Sequence, residues 1–214
     1  RAWMQNQYLG KGEVRMQWLS EQSCRGLICL SGGPQGIVER HLAGKKGDQA
    51  RGFLHQLKAA FPDRLYLEVQ RAGRKSDEMI VSLVANLSVE EHLPLVATHP
   101  VQFQEKEDFT AHEVRCCIAD GYVLSDSRRP HLYTEEQYLK SAEQMQELFA
   151  DLPQALENTL VVAQRCNLTG VLQKPQLPKF PTPDGMPLDE YMAQLAGEWE
   201  ALRKEKEGCF VSIA

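Results

Sequence analysis

Residues Leu65–Gln70 read LYLEVQ, and two other stretches share their character: Gly26–Ser31, GLICLS, and Leu93–Thr98, LPLVAT. Each is a short run rich in Leu, Ile and Val that stops at polar or glycine-rich residues. A strand with one wet face alternates apolar and polar residues, so unbroken runs of this length suit strands covered on both faces. Helical spacing fills the gaps between them. Asp48 to Ala60 sets Ala50, Phe53, Leu54, Leu57 and, just beyond, Phe61 on one stripe, and Met79 to Leu93 does so with Met79, Ile80, Leu83, Val84 and Leu87. Strand and helix in alternation predict βαβ units, a parallel sheet and an α/β fold.

Beyond residue 107 the strand signals end. Asp108 to Ala119 predicts a helix opened by Asp108, with Ala111, Val114, Arg115 and Ile118 on one stripe. Thr134-Glu135-Glu136-Gln137 has the form of a capping box, which predicts a helix carrying Tyr138, Ala142, Met145, Leu148 and Phe149. Asp151 and Pro153 open a further helix through Leu156, Leu160 and Ala163. Residues 173–187 read QKPQLPKFPTPDGMP, and five prolines in that span exclude a helix or an inner strand. This predicts a linker, with a new amphipathic helix from Leu188 to Lys206 after it. The first residue is Arg1 and the last six, Cys209 to Ala214, are apolar, which suggests a piece interrupted within the next domain.

The chain has 214 residues, 43% hydrophobic and 25% charged, enough for one substantial domain and a tail. A formal charge of -5 argues against a dedicated nucleic-acid clamp. No apolar run is long enough to cross a bilayer, and no signal-peptide pattern appears. Six cysteines without a CxxC pair fit a reducing cytoplasm better than a disulfide framework. The adjacent Cys116 and Cys117 suit a buried helix face.

Several strings resemble the alpha subunits of bacterial DNA polymerase III, the replicative C-family polymerases. They are Gly26–Gly33 (GLICLSGG), Phe61–Gln70 (FPDRLYLEVQ), Leu93–Phe103 (LPLVATHPVQF), Asp108–Gly121 (DFTAHEVRCCIADG), Arg129–Tyr133 (RPHLY), Glu143–Asn158 (EQMQELFADLPQALEN) and Gln176–Pro181 (QLPKFP). The resemblance covers most of residues 25 to 200, in the family's order. It implies the rear part of a PHP (polymerase-and-histidinol-phosphatase) domain, a partial distorted (β/α) barrel, over residues 1–172. Helices and the Pro-rich linker at 173–187 would follow. Residues 188–214 would then start a helix next to the palm, cut short. The family's palm, with its carboxylates and magnesium ions, would lie beyond, so no cofactor is expected within this segment.

Metal-binding members of the family carry an early His-x-His pair and later ligands at strand ends. None of His41, His55, His92, His99, His112 and His131 forms such a pair. At the later positions Glu68 is retained, but Ala72 stands where the resemblance implies a His. In VATHPVQF, His99 replaces an Asn, Pro100 an Asp and Gln102 a His. Proline offers no ligand atom and an amide is a poor substitute for imidazole, so the site reads as degenerate. Glu68 and His99 remain as vestigial ligands, and an ion shared between them would fall short of three protein ligands. Ser31-Gly32-Gly33 lacks the Lys-Ser/Thr of a P-loop and reads as a strand-end turn. Arg71, Arg74 and Lys75 are possible phosphate contacts, weighed against a solvated loop. His112 reads as a packing or surface residue.

The function implied by the resemblance is a non-catalytic, scaffolding part of a DNA-directed DNA polymerase. Its expected partners are other polymerase subunits, above all the proofreading exonuclease, with DNA reached only through the parent protein and no membrane. Two alternatives stand beside it: a free-standing PHP phosphoesterase, which needs a full His and Asp ligand set, and a truncated product without independent activity.

Overall fold

A computed structural model describes residues 7–8, 11–12, 14–169 and 182–209, with side chains for 14–169 and 182–200. Residues 173–181 of the expected linker, including the QLPKFP string, and the last residues 210–214 lie outside the described residues. The chain divides into two compact units, Arg1–Asn167 and Leu168–Ala214. In the second, helix Leu188–Cys209 follows a short turn at Pro183–Gly185, in accord with the helix expected from Leu188.

The first unit opens with a two-stranded antiparallel ribbon, β1 (Gln7–Tyr8) and β2 (Lys11–Gly12). Three parallel strands follow in the order β3 (Cys29–Leu30), β4 (Leu65–Gln70), β5 (Leu95–Thr98). Helices α1 (Ile37–Ala43) and α2 (Gly47–Ala60) connect β3 to β4, and α3 (Asp77–Glu91) connects β4 to β5. Three more helices complete the unit: α4 (Phe109–Asp120), α5 (Ala142–Leu148) and α6 (Pro153–Arg165).

The central strand is buried on both faces over Leu65–Val69, as its unbroken apolar text predicts. Leu67 and Leu54 are fully enclosed, and Val38, Ala50, Val84, Phe149 and Ala155 close the same core. Proline at the first position of α6 needs no amide partner there. Asn158 of that helix donates to the Leu95 carbonyl at 2.7 Å, tying α6 to β5.

Three expectations change. GLICLS forms a strand only at Cys29–Leu30, because Gly26 turns the chain at φ 78° and the Leu27 amide bonds back to Cys24 at 3.1 Å. In α4 the stripe Ala111, Val114, Arg115 and Ile118 faces solvent, and His112 and Cys117 are the buried residues. The aromatic rings of Phe103 and Tyr133 gather round His112 and set the helix's rotation.

The third change concerns Thr134. Gln137 does take the Thr134 amide, at 3.0 Å, but the chain makes only a turn there. Tyr138 then bridges to Phe103 as extended backbone, and the helix begins at Ala142 under a true capping box of Ser141 and Gln144.

Truncating the central strand tests this core. Leu67→Ala should cost about 2–5 kcal/mol in urea unfolding. Val89→Ala, at a side chain 74% exposed, should change stability by less than about 0.5 kcal/mol. Equal effects at the two positions would contradict the packing.

Candidate functional site

The C-terminal ends of the three parallel strands meet at Glu68, which is 8% exposed. Beyond β3 the chain enters Ser31-Gly32-Gly33, with φ of 103° at Gly32 and 56° at Gly33. A Cβ at Gly33 would lie 2.8 Å from the Gln70 side chain, so only glycine fits both the turn and the contact. The turn sends the Gly32 amide to Glu68 Oε2 at 3.1 Å. Gln70 Nε2 donates to Glu68 Oε1 at 2.8 Å, and the Thr98 hydroxyl donates to the same oxygen. One carboxylate thus takes donors from the end of every strand of the sheet. The turn's amide serves this internal anion.

Behind Glu68 lies Glu39 of α1, with no exposed surface. The Ser31 hydroxyl donates to Glu39 Oε1 and accepts the Glu68 amide at 2.9 Å, so it joins the two carboxyl groups. Glu39 Oε2 is buried with no hydrogen-bond partner. Burial pushes this carboxyl from 4.5 up to about 7, against the Ser31 hydroxyl and its own amide, with the Glu68 charge adding to the rise. Sequence reasoning missed Glu39; its signal is an acidic residue inside the first turn of an otherwise apolar-faced helix.

The other positions on the rim are held through their main chains. His99 Nε2 donates to the Glu136 carbonyl at 2.7 Å, and its Nδ1 is buried without a partner. Burial holds its pKa below the ordinary histidine value, with the Glu136 carbonyl opposing. Gln137, 1% exposed, donates from Nε2 to the Pro100 carbonyl at 3.0 Å. Its carbonyl accepts the Gln102 amide at 2.8 Å. Ala72 is wholly buried; its amide goes to Asp77 Oδ2 at 2.6 Å and its carbonyl accepts from the Thr134 hydroxyl. Among the described residues no three His, Cys, Asp or Glu side chains stand together as a metal-ion site. Thr134 and Gln137 belong to this rim, and their spacing was the signal, read as a helix start.

The basic trio separates. Arg71 donates to Asp151 at 2.6 and 2.8 Å and to Glu78 at 2.9 and 3.1 Å. It also reaches the Leu148 carbonyl at 2.8 Å, and its guanidinium lies over the Phe149 ring. The Asp151 contact above all, then Glu78, raises its pKa further. Arg71 is therefore a clamp between β4, α3 and the α5–α6 turn. Arg74 has a buried Nη1 without a partner, and Lys75 is exposed on the loop. His112 packs between Phe103 and Tyr133, in accord with a packing role.

The pattern of the PHP domain matches residues 1–72. The chain is 46% identical over 198 residues to a DNA polymerase III subunit alpha of Neisseria meningitidis, covering 89% of this chain and 17% of that protein. A Pseudomonas aeruginosa protein of the same name is 42% identical, covering 92% of the chain and 17% of its own length. An Escherichia coli relative is 42% identical over 188 residues, at 86% and 16%. The chain thus spans about one sixth of the length of these curated relatives. No helix among the described residues is long and apolar enough to cross a membrane.

Glu39 gives this site a signature in stability. Its carboxyl titrates at 4.5 when exposed and at about 7 in the fold, so between those values the folded chain keeps a proton the unfolded chain has released. Stability contributed by the neutral carboxyl is therefore fully present below about 4.5 and lost as pH rises towards 7. Glu39→Gln should remove that slope, gaining about 2–3 kcal/mol relative to wild type between pH 5 and pH 8. Urea unfolding at both pH values measures it; a difference that does not change with pH would refute the buried neutral acid.

Proposed function

We propose that this chain, 42–46% identical to DNA polymerase III alpha subunits and matched by the PHP domain pattern over residues 1–72, serves DNA replication as a structural segment of the replicative polymerase. The whole protein would be the DNA-directed DNA polymerase, a cytoplasmic enzyme with its magnesium-bearing carboxylates in a palm outside this chain. The present segment would brace that enzyme and dock a partner subunit, the proofreading exonuclease before others. The three parallel strands, helix-covered and ending together at one rim, suit an arc of the distorted (β/α) barrel expected for a PHP domain.

One observation carries the scaffold reading: the rim's hydrogen bonds join its own strands and loops to one another. Glu68 is filled by the Gly32 amide, Gln70 and Thr98. Ala72, Pro100 and Gln102 contribute main-chain groups to hydrogen bonds with Asp77, Thr134 and Gln137. A metal cluster does not fit these residues. It would need carboxylate and imidazole lone pairs converging on one point, whereas His99 spends Nε2 on a carbonyl and Ala72 and Pro100 supply no side-chain donor atom. Water activation by a held ion is thus no part of the role assigned to this segment.

Two measurements test the proposal. The chain incubated with zinc or manganese and p-nitrophenyl phosphate should show no hydrolysis above the Glu68→Ala variant. Elemental analysis should find no stoichiometric metal, and three bound ions with turnover would establish a phosphoesterase instead. The intact alpha subunit mixed with its exonuclease subunit should co-elute in gel filtration; separate elution counts against docking.

A further inference from the structure

Helix α7 (Leu188–Cys209) belongs to the second compact unit and carries an apolar stripe in water. Leu188, Met192, Leu195 and Trp199 are spaced four, three and four residues apart. On an α-helix that spacing sets all four within about 60° of one another around the axis. Leu188 is 48% exposed, Met192 57% and Trp199 72%, and Leu195 alone of the four is half-buried. By the same geometry Asp189 and Glu200 flank one side of the stripe, Glu198 flanks the other, and Glu190 lies on the opposite face. Gln194 donates to Glu198 Oε1 at 3.0 Å along the polar side. Residues 188–200 contain no Lys, Arg or His.

A helix without a packed face is marginal in water. Gly197, with nothing within 4 Å of a Cβ placed there, lowers the helical propensity at its centre further. Single exposed apolar side chains are ordinary, but a continuous stripe of one Trp, one Met and two Leu between acidic flanks has the form of a helix laid in a groove. Its own unit supplies no groove among the described residues, which beside the helix are only 168–169 and 182–187.

Given that the chain is a segment of the replicative polymerase, the reading on which this step rests, we infer that the stripe docks in an apolar, basic-rimmed groove of the same polypeptide, outside the present segment. The stretch matched here takes up 17% of the Neisseria relative and 16% of the Escherichia coli one, so most of such a polypeptide lies outside it. A groove in the same polypeptide meets the helix at an effective concentration set by the connecting chain, on the order of millimolar for a short connection. A second copy or a separate subunit meets it only at its free concentration, and the tether therefore decides the occupant. Lys or Arg on the groove's rim pairs with Asp189 on one flank and Glu198 on the other, which fixes the direction in which the helix lies. Trp199, the largest and most exposed of the four, is the anchor on the groove's floor.

Photocrosslinking from p-benzoylphenylalanine in place of Trp199 tests this, in the intact alpha subunit mixed with its exonuclease subunit and with products mapped by mass spectrometry. The crosslink should run to the alpha polypeptide outside the present segment, with a yield severalfold above the same probe at Glu190 on the opposite face. That yield should not fall as the protein is diluted, as expected of a tethered partner. Should the probe at 199 impair folding, Met192 on the same stripe carries it instead. Crosslinks to residues 1–169 of this segment, to a second copy or to the exonuclease subunit overturn the inference, as does a yield no higher than at Glu190. None of these outcomes alters the metal and co-elution measurements, so a failure here is distinct from a failure of the scaffold reading.

Discussion

A carboxylate removed from water must have its lone pairs filled from within, and the Glu68 carboxylate is filled by the ends of three strands. Gly32 after β3, Gln70 at the end of β4 and Thr98 at the end of β5 all donate to it. Bonds to a charged acceptor contribute about 1.5–3 kcal/mol each, and losing one leaves a buried charge underfilled. Sliding either outer strand by one residue would withdraw its donor and turn its buried side chains outward. The register Leu67–Leu95 through Gln70–Thr98 is thus set by apolar burial and polar satisfaction together. Ser31 extends the constraint backwards, because its hydroxyl couples the Glu68 amide to Glu39 and so fixes where α1 starts.

A second tier of bonds continues the same logic outwards. The chain after β5 has no fourth neighbouring strand among the described residues, and its polar groups are met by residues 134–139. Gln137 serves two of them, the Pro100 carbonyl and the Gln102 amide, and the Leu139 amide bonds to Phe103 at 3.1 Å. The Thr134 hydroxyl and the Asp77 carboxylate close the loop at Ala72 from opposite sides. Arg71 then fastens that loop to the α5–α6 turn through Asp151. Hydrogen bonds thus hold these loops to the strand ends and to one another.

What could be read from the sequence was whatever depends on local pattern. The helices α2 and α6, the helix from Leu188 and the parallel strands β4 and β5 follow from apolar period, proline placement and strand length, and the structure has each of them. The family resemblance also came from strings of residues and agrees with the relatives. Errors arose where a local signal had a distant use. The Thr134–Gln137 pair forms its predicted side-chain bond, but Gln137 is claimed by Pro100 and Gln102, so the chain stays extended instead of coiling. In α4 the spacing gave the helix, but not which face it buries: two aromatic rings from outside it pack on His112, while Ala111, Val114, Arg115 and Ile118 face solvent. Arg71 looked solvated because its partners Glu78 and Asp151 lie 7 and 80 positions away. No short window of sequence holds that information.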